Sequence, residues 1–256
     1  MSALKVFITG ASSGVGEALA VHYARSGAAV GLCARRLEPM QALAAKLGCP
    51  GACYRVDVTD PASVQTAARD FMQRFGAPDI VIANAGVSIG TLGENREDIA
   101  AFRKVMDTNV LGMVATLQPF VAPMRSRGSG TLVGISSVAG FRGLPGSGAY
   151  SASKSAAITY LESLRTELHG TGVAVVTICP GYVRTPMTAA NPYRMPFLLE
   201  ADDAARRVAR AIAKRRRLAV IPWQMALVSL ALRHLPNWLY DRLFARAPRK
   251  PRQPPG

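Results

Sequence analysis

Apolar and polar positions along this chain follow two alternating rhythms. Short runs rich in β-branched and aromatic residues, such as Lys-Val-Phe-Ile-Thr at Lys5–Thr9, recur between longer stretches with helical spacing. The runs predict strands near residues 5–10, 28–35, 53–58, 80–85, 131–136, 173–179 and 218–221. The stretches predict helices near 15–26, 37–47, 61–75, 97–124, 150–168 and 201–215. Strand and helix alternate throughout, which implies an α/β fold with a doubly wound parallel sheet of about seven strands. The 256 residues suffice for a substantial core, and no internal repeat or long low-complexity linker divides them. The expectation is one domain: a body over 1–222, an apolar and basic helical extension over 223–247, and a disordered Pro/Arg-rich tail over 248–256.

The first predicted strand runs directly into Thr9-Gly10-Ala11-Ser12-Ser13-Gly14-Val15-Gly16, and a helix follows. Glycines at such a turn let the backbone fold tightly and approach a pyrophosphate, which the free N–H groups at the helix start would hold. The run lacks the Gly-Lys-Ser/Thr ending of a nucleoside-triphosphate loop, which excludes ATP or GTP hydrolysis. The second predicted strand ends in Arg35-Arg36, where an acidic residue would otherwise bond the ribose 2′-hydroxyl of NAD. A guanidinium fork there suits a 2′-phosphate, so NADP(H) is expected over NAD(H); two solvated arginines opening a helix are the plainer reading.

Tyr150 and Lys154 stand four residues apart, one turn of the predicted helix, and so project from one face. A phenol with a pKa of ~10 exchanges protons poorly near neutrality. An adjacent ammonium is expected to favour the phenolate and bring the group toward the working range. Proton exchange with a carbonyl or alcohol oxygen suits such a pair.

In this order, Thr9 to Gly16, Asp57-Val58, Asn84-Ala85-Gly86, Asn109, Ser136-Ser137, Tyr150-x-x-x-Lys154 and Pro180-Gly181 resemble the short-chain dehydrogenase/reductase family, from about Lys5 to Pro222. The resemblance implies a single-domain Rossmann-type sheet and hydride transfer at a C=O/CH–OH group. It implies a catalytic tetrad of Asn109, Ser137, Tyr150 and Lys154. Ser137 is preferred to Ser136 because it lies thirteen residues before the tyrosine, the family's usual separation. It assigns the cofactor to Gly10, Ser12, Ser13, Gly14, Val15 and Gly16, to Arg35 and Arg36, and to Asp57 and Val58. Asn84, Ala85, Gly86, Tyr150, Lys154, Pro180, Gly181, Val183 and Thr185 complete that set. Tyr150 would pass the proton, Lys154 would lower its pKa, Ser137 would orient the carbonyl, and Asn109 would hold a water against the lysine. Ala83 departs from the family, which often has a first Asn there. By the same resemblance, the segment after Thr185 forms a substrate lid and the chain assembles as a dimer or tetramer. The lid's Met187, Tyr193, Met195, Phe197, Leu198 and Leu199 suggest a hydrophobic ketone or alcohol, though core packing explains them equally. A non-catalytic NADP-binding protein is the alternative in another class.

Charge is uneven: the formal net charge is +15, and residues 200–256 hold 13 basic and 4 acidic side chains. Lys214-Arg215-Arg216-Arg217 is followed by fifteen uncharged residues, Leu218 to Leu232, and then by aromatics mixed with arginines. No nucleic-acid reading motif accompanies them. A solvated rim, a subunit interface, and peripheral contact of residues 214–246 with an anionic membrane surface all stay open. The run is short of the ~20 residues a span needs, and Pro222 interrupts it. Cys33, Cys49, Cys53 and Cys179 form no Cys-x-x-Cys pair, and the three histidines lack ligand spacing, so free thiols and no metal are expected. Without a signal-like N-terminus, a reducing cytoplasm is the expected setting.

Overall fold

The computed structural model describes residues 3–48, 50–189, 191–250 and 252. Seven strands form one sheet: β1 (Lys5–Thr9), β2 (Ala29–Ala34), β3 (Gly51–Arg55), β4 (Ile80–Ala83), β5 (Gly130–Ile135), β6 (Val173–Pro180) and β7 (Leu218–Ile221). Their order is β3-β2-β1-β4-β5-β6-β7, and every neighbouring pair is parallel. Strands β2 and β5 are buried along their full length, which is why their sequences read as continuous apolar or small-residue runs rather than alternating ones.

Helices cover both faces. On one side α1 (Gly14–Arg25), α2 (Glu38–Leu47) and α8 (Ala201–Ala213) enclose a core containing Ile8, Leu19, Leu32, Val133 and Val208. On the other, α3 (Pro61–Phe75), α5 (Gly112–Arg127) and α6 (Gly148–Glu167) are arranged around Phe7, Phe71, Phe120, Leu132 and Leu161, while α4 (Asp98–Met106) packs beside α6 through a separate small cluster of Val105, Ile89 and Ala149. The ring of Phe7 lies edge-on to Phe71 and 4.9 Å from Phe120, so the central strand is locked to α3 and α5. A four-residue turn, α7 (Pro186–Ala189), and two closing helices, α9 (Trp223–His234) and α10 (Asn237–Phe244), complete the chain.

Three expectations change. The helix predicted over 97–124 divides into α4 and α5 around a π-helical turn, Asp107–Leu111, with no Gly or Pro inside it to announce the break. β3 spans Gly51–Arg55 rather than 53–58, because its pairing with Val30–Ala34 of β2 ends at Arg55. The tail expected to be disordered from Pro248 is placed, in its described part, against the loop leading into α4: Arg252 pairs with Asp98 at 2.9 Å and with Glu97 at 3.3 Å. Pro251 and 253–256 lie outside the described residues, as does Cys49. Cys33 and Cys179 carry free thiols.

Candidate active site

In a parallel sheet the carboxyl ends of all strands share one edge, and a crevice opens where the strand order reverses, here between β1 and β4. Most of the motifs of the family resemblance sit at that edge. The glycine turn follows β1, Arg35 follows β2, Asp57 follows β3, Asn84 follows β4, Ser136 and Ser137 follow β5, and Pro180 ends β6.

The turn after β1 needs glycine for two physical reasons. Gly10 and Gly14 adopt φ of 69° and 60°, in the left-handed region that side chains disfavour. At Gly16 a Cβ would meet the Gly10 carbonyl oxygen and lie 2.5 Å from Asn84 Nδ2. The Asn84 amide donates to the carbonyls of Thr9 (3.1 Å) and Gly10 (3.2 Å), tying the turn to β4 from behind. A Cβ on Gly14 would touch Thr185, so the segment after β6 closes over the start of α1. The bare backbone at the helix N-terminus fits a pyrophosphate.

Arg35 and Arg36 are exposed at the end of β2. Across the gap, burial opposes ionisation of Asp57. The Thr59 N–H and hydroxyl, with Arg35 and Lys104 nearby, nevertheless hold its carboxyl below the usual range. Arg35 and Asp57 therefore face one exposed mouth. Val58 does not share it: its buried side chain fills the space left by the missing Cβ of Gly112, so only its backbone is available to a ligand.

The second half of the site lies on β5 and α6. Ser136 turns away, its hydroxyl donating to the Lys154 carbonyl at 2.7 Å and fastening α6 to the sheet. Ser137 accepts from Ala139 N–H at 3.2 Å, capping a short 3₁₀ turn (Val138–Gly140), and donates to the Pro180 carbonyl at 3.5 Å, with its hydroxyl near enough to Tyr150 to favour the phenolate. Both the turn-capping role and the preferred position at Tyr150 thus belong to Ser137. Lys154 is 5% exposed and donates to the Ile135 carbonyl at 2.9 Å, with its Nζ 5.7 Å from the Tyr150 ring centre.

The π-helical turn rotates Asn109 fully inward. Its Oδ1 accepts from Val87 N–H at 2.8 Å, and its Nδ2 donates to the Val87 carbonyl at 2.9 Å and to Ser153 Oγ at 3.0 Å. A Cβ on Gly86 would lie 3.1 Å from Asn109 Oδ1 and 3.6 Å from Lys154 Nζ. Glycine there lets amide and ammonium approach a common point. Ser153 was not foreseen, because a serine inside an Ala/Ser-rich helix gives no signal of which side chain it meets.

Electrostatics corrects one expectation. Burial raises Tyr150 above the ordinary phenol value, the Ser137 hydroxyl beside it pulls it partly back, and Cys179 pushes it up further. The protein alone therefore does not lower Tyr150, because loss of water outweighs the pull of the Ser137 hydroxyl. The same burial brings Lys154 down to about 8, with Cys179 opposing, and raises the Cys179 thiol to about 12. Cys179 is thus a protonated thiol beside the amine.

A glycine turn and a buried Tyr–Lys–Ser–Asn cluster on the carboxyl edge of a Rossmann-type sheet are the marks of an α/β oxidoreductase. The short chain dehydrogenase family model matches residues 4–195. The chain belongs to that family of oxidoreductases. It is 42% identical over 249 residues to an uncharacterized oxidoreductase of Myxococcus xanthus, covering 96% of this chain and 98% of that one. It is 33% identical over 270 residues to 11-beta-hydroxysteroid dehydrogenase A of Arachis hypogaea, covering 96% and 77%. Among solved structures, an alcohol dehydrogenase from Thermococcus sibiricus complexed with 5-hydroxy-NADP superposes with a TM-score of 0.77 at 28% identity, over 86% of this chain and 96% of that one.

Proposed function

We propose that this protein is an NADP(H)-dependent oxidoreductase that interconverts a ketone and a secondary alcohol on a hydrophobic compound. The observation that carries the reading is the Ser137–Tyr150–Lys154 cluster at the crevice behind the glycine turn. The nicotinamide, when bound, supplies or accepts the hydride. Tyr150 gives or takes the proton at the substrate oxygen, and Ser137 holds that oxygen and steadies its developing charge. Lys154 supplies positive charge behind the phenol. Asn109, held by Val87 and Ser153, keeps the π-helical turn and the Lys154 approach in register. The exposed Arg35 beside Asp57 supports a 2′-phosphate over a free hydroxyl.

The lid supports an apolar substrate. Leu199 seats on the core and pairs with Val183 through a bridge, whereas Met187 and Phe197 are exposed at 37% and 48% and free to cover a ligand. Hydroxysteroid dehydrogenase relatives fit that class. A non-catalytic NADP-binding protein is the competing reading. The test follows reduced-nicotinamide absorbance with a panel of apolar ketones. Turnover that Tyr150→Phe abolishes upholds the enzyme; a full panel without turnover, alongside tight NADPH binding, overturns it.

Setting and assembly belong to the same reading. Ile99, Phe102 and Leu111, exposed on α4 and the π-helical turn, support pairing with a second copy as a dimer or tetramer. Among the described residues no helix is long and apolar enough to cross a membrane. Helix α9, however, buries Ser229 while exposing Trp223, Leu227 and Leu230 on one stripe, and α10 adds exposed Trp238 and Leu243. Arg233, Arg242 and Arg246 flank these groups. The combination supports a cytoplasmic protein resting on an anionic lipid surface. The Lys214–Arg217 cluster precedes β7 and α9 follows it, so cluster and stripe lie at opposite ends of that strand. The lipid-facing patch is therefore residues 223–246, narrower than 214–246.

A further inference from the structure

The end of the chain returns to the site. Arg142, in the loop before α6, donates to the carbonyls of Leu232 (2.9 Å) and Leu235 (2.8 Å) and stacks its guanidinium 4.3 Å from the Tyr240 ring centre. Tyr240 in turn donates its hydroxyl to the Gly143 carbonyl. So fastened, the chain leaving α10 runs across the cleft: Arg249 lies against Gly146, and Arg252 is held by Asp98 and Glu97. Between them Lys250 donates to Ser88 Oγ at 2.6 Å, and its Nζ stands 5.6 Å from the Tyr150 ring centre.

This ammonium is in an unusual position. It is partly buried, its bond to Ser88 goes to a neutral hydroxyl, and the nearby acids Glu97 and Asp98 are engaged by Arg252. Two of its three donors remain for a ligand. Burial of a charge costs stability unless an opposite charge meets it, and here burial draws the amine down to about 8. The cost falls on a strap whose anchors, Arg142, Tyr240 and Arg252, hold it in place regardless. The result is a positive group over the ring of the tyrosine assigned to proton transfer.

We propose that Lys250 is a specificity residue that recognises an acidic group, a carboxylate or a phosphate, carried by the substrate within a few bonds of the reacting carbonyl. The preferred substrate is then an amphiphile: an apolar body under the lid and an acidic head at the strap. This rests on the reading of Tyr150 as the proton donor and acceptor.

The test compares a long-chain γ-keto acid, its methyl ester and the corresponding keto-alkyl phosphate, each with NADPH, in wild type, Lys250→Met and Lys250→Arg. A charge-assisted contact predicts that wild type favours one of the acids over the ester by about tenfold or more in kcat/KM. Lys250→Met brings that ratio close to one, and Lys250→Arg restores part of it. Which acid responds tells carboxylate from phosphate. Calorimetric binding of the two acids to the NADPH-loaded Tyr150→Phe protein gives a readout independent of turnover. Acid affinity there should fall about tenfold when Lys250→Met is added. Turnover of the ester with an acid-to-ester ratio that Lys250→Met leaves unchanged overturns the inference and leaves the oxidoreductase reading standing. So does a Lys250→Met variant that gains equally on all three compounds, which makes the strap a mere cover. Absence of turnover with Lys250-dependent acid binding upholds the subsite and overturns the enzymatic reading; absence of both overturns both.

Discussion

Replacing Lys154 by methionine separates stability from chemistry at this site. The amine is 5% exposed, and burial draws its pKa from 10.5 to about 8. Near pH 7 it is charged in both the folded and unfolded chain, so folding strips water from an ion. A gap of about 2.5 pK units corresponds to about 3 kcal/mol acting against the folded state. Methionine has similar length and no charge to desolvate, but it leaves the Ile135 carbonyl without its donor, a loss of about 1 kcal/mol. Lys154→Met should therefore be more stable by about 2 kcal/mol near pH 7, or roughly 4 to 8 °C in Tm for a chain of this size. The pH dependence fixes the sign. Between about 8 and 10.5 the unfolded lysine holds a proton that the folded one has released, so wild-type stability rises with pH relative to the variant. The advantage of methionine should shrink by about 2 kcal/mol between pH 7 and about pH 9.5. Urea unfolding of both proteins at the two pH values, taken as a difference, cancels the groups they share. Carbonyl reduction by the variant should be lost throughout. A wild type more stable than the variant near pH 7, or a difference that does not move with pH, refutes the reasoning.

Gly16→Ala puts a methyl against the Gly10 carbonyl and 2.5 Å from Asn84 Nδ2; about 1–3 kcal/mol of stability and most dinucleotide affinity should go, and wild-type values for both contradict the cradle. Arg35→Asp should weaken NADPH binding at least tenfold more than NADH binding, measured by fluorescence titration, because the carboxylate repels a 2′-phosphate and accepts from a 2′-hydroxyl. Equal losses remove the cofactor assignment. Trp223→Ser combined with Trp238→Ser should abolish co-sedimentation with phosphatidylserine vesicles while leaving neutral vesicles unbound in both proteins; wild type that stays in the supernatant ends the lipid-surface reading.

The order of the site was legible because strand ends fix it. Each motif at a carboxyl end had only one edge on which to stand once the strands were known, so Thr9–Gly16, Arg35, Asn84, Ser137 and Pro180 converge without any long-range information. Asn109 was legible only through resemblance. Its placement depends on the π-helical turn at Asp107–Leu111, and nothing in Asp-Thr-Asn-Val-Leu distinguishes such a turn from an ordinary helix. The direction of the Tyr150 shift was misread for a related reason. Sequence spacing puts the amine on the right face, but the number of water molecules lost around a phenol depends on what β5, β6 and the strap place over it.

The C-terminal region shows where sequence order stops informing. A run of basic residues followed by an apolar stretch reads as one amphiphilic segment, yet a four-residue strand between them places the two at opposite ends of the sheet. In the same way Lys250 meets Ser88 across 162 positions of sequence, and Arg252 meets Asp98 across 154. Neither contact obeys a period, and each depends on Arg142 first fixing α9 and α10 against the loop before α6. The groups proposed to set chemistry are thus carried by strand ends, by α6 and by the π-helical turn, all within the sheet-and-helix body. The groups that would choose the substrate are carried by a strap anchored through a few charged side chains. If that division holds, exchanging residues 247–256 with those of a relative should move substrate preference while leaving dinucleotide affinity in place, whereas a loss of dinucleotide affinity would show that the strap belongs to the scaffold itself.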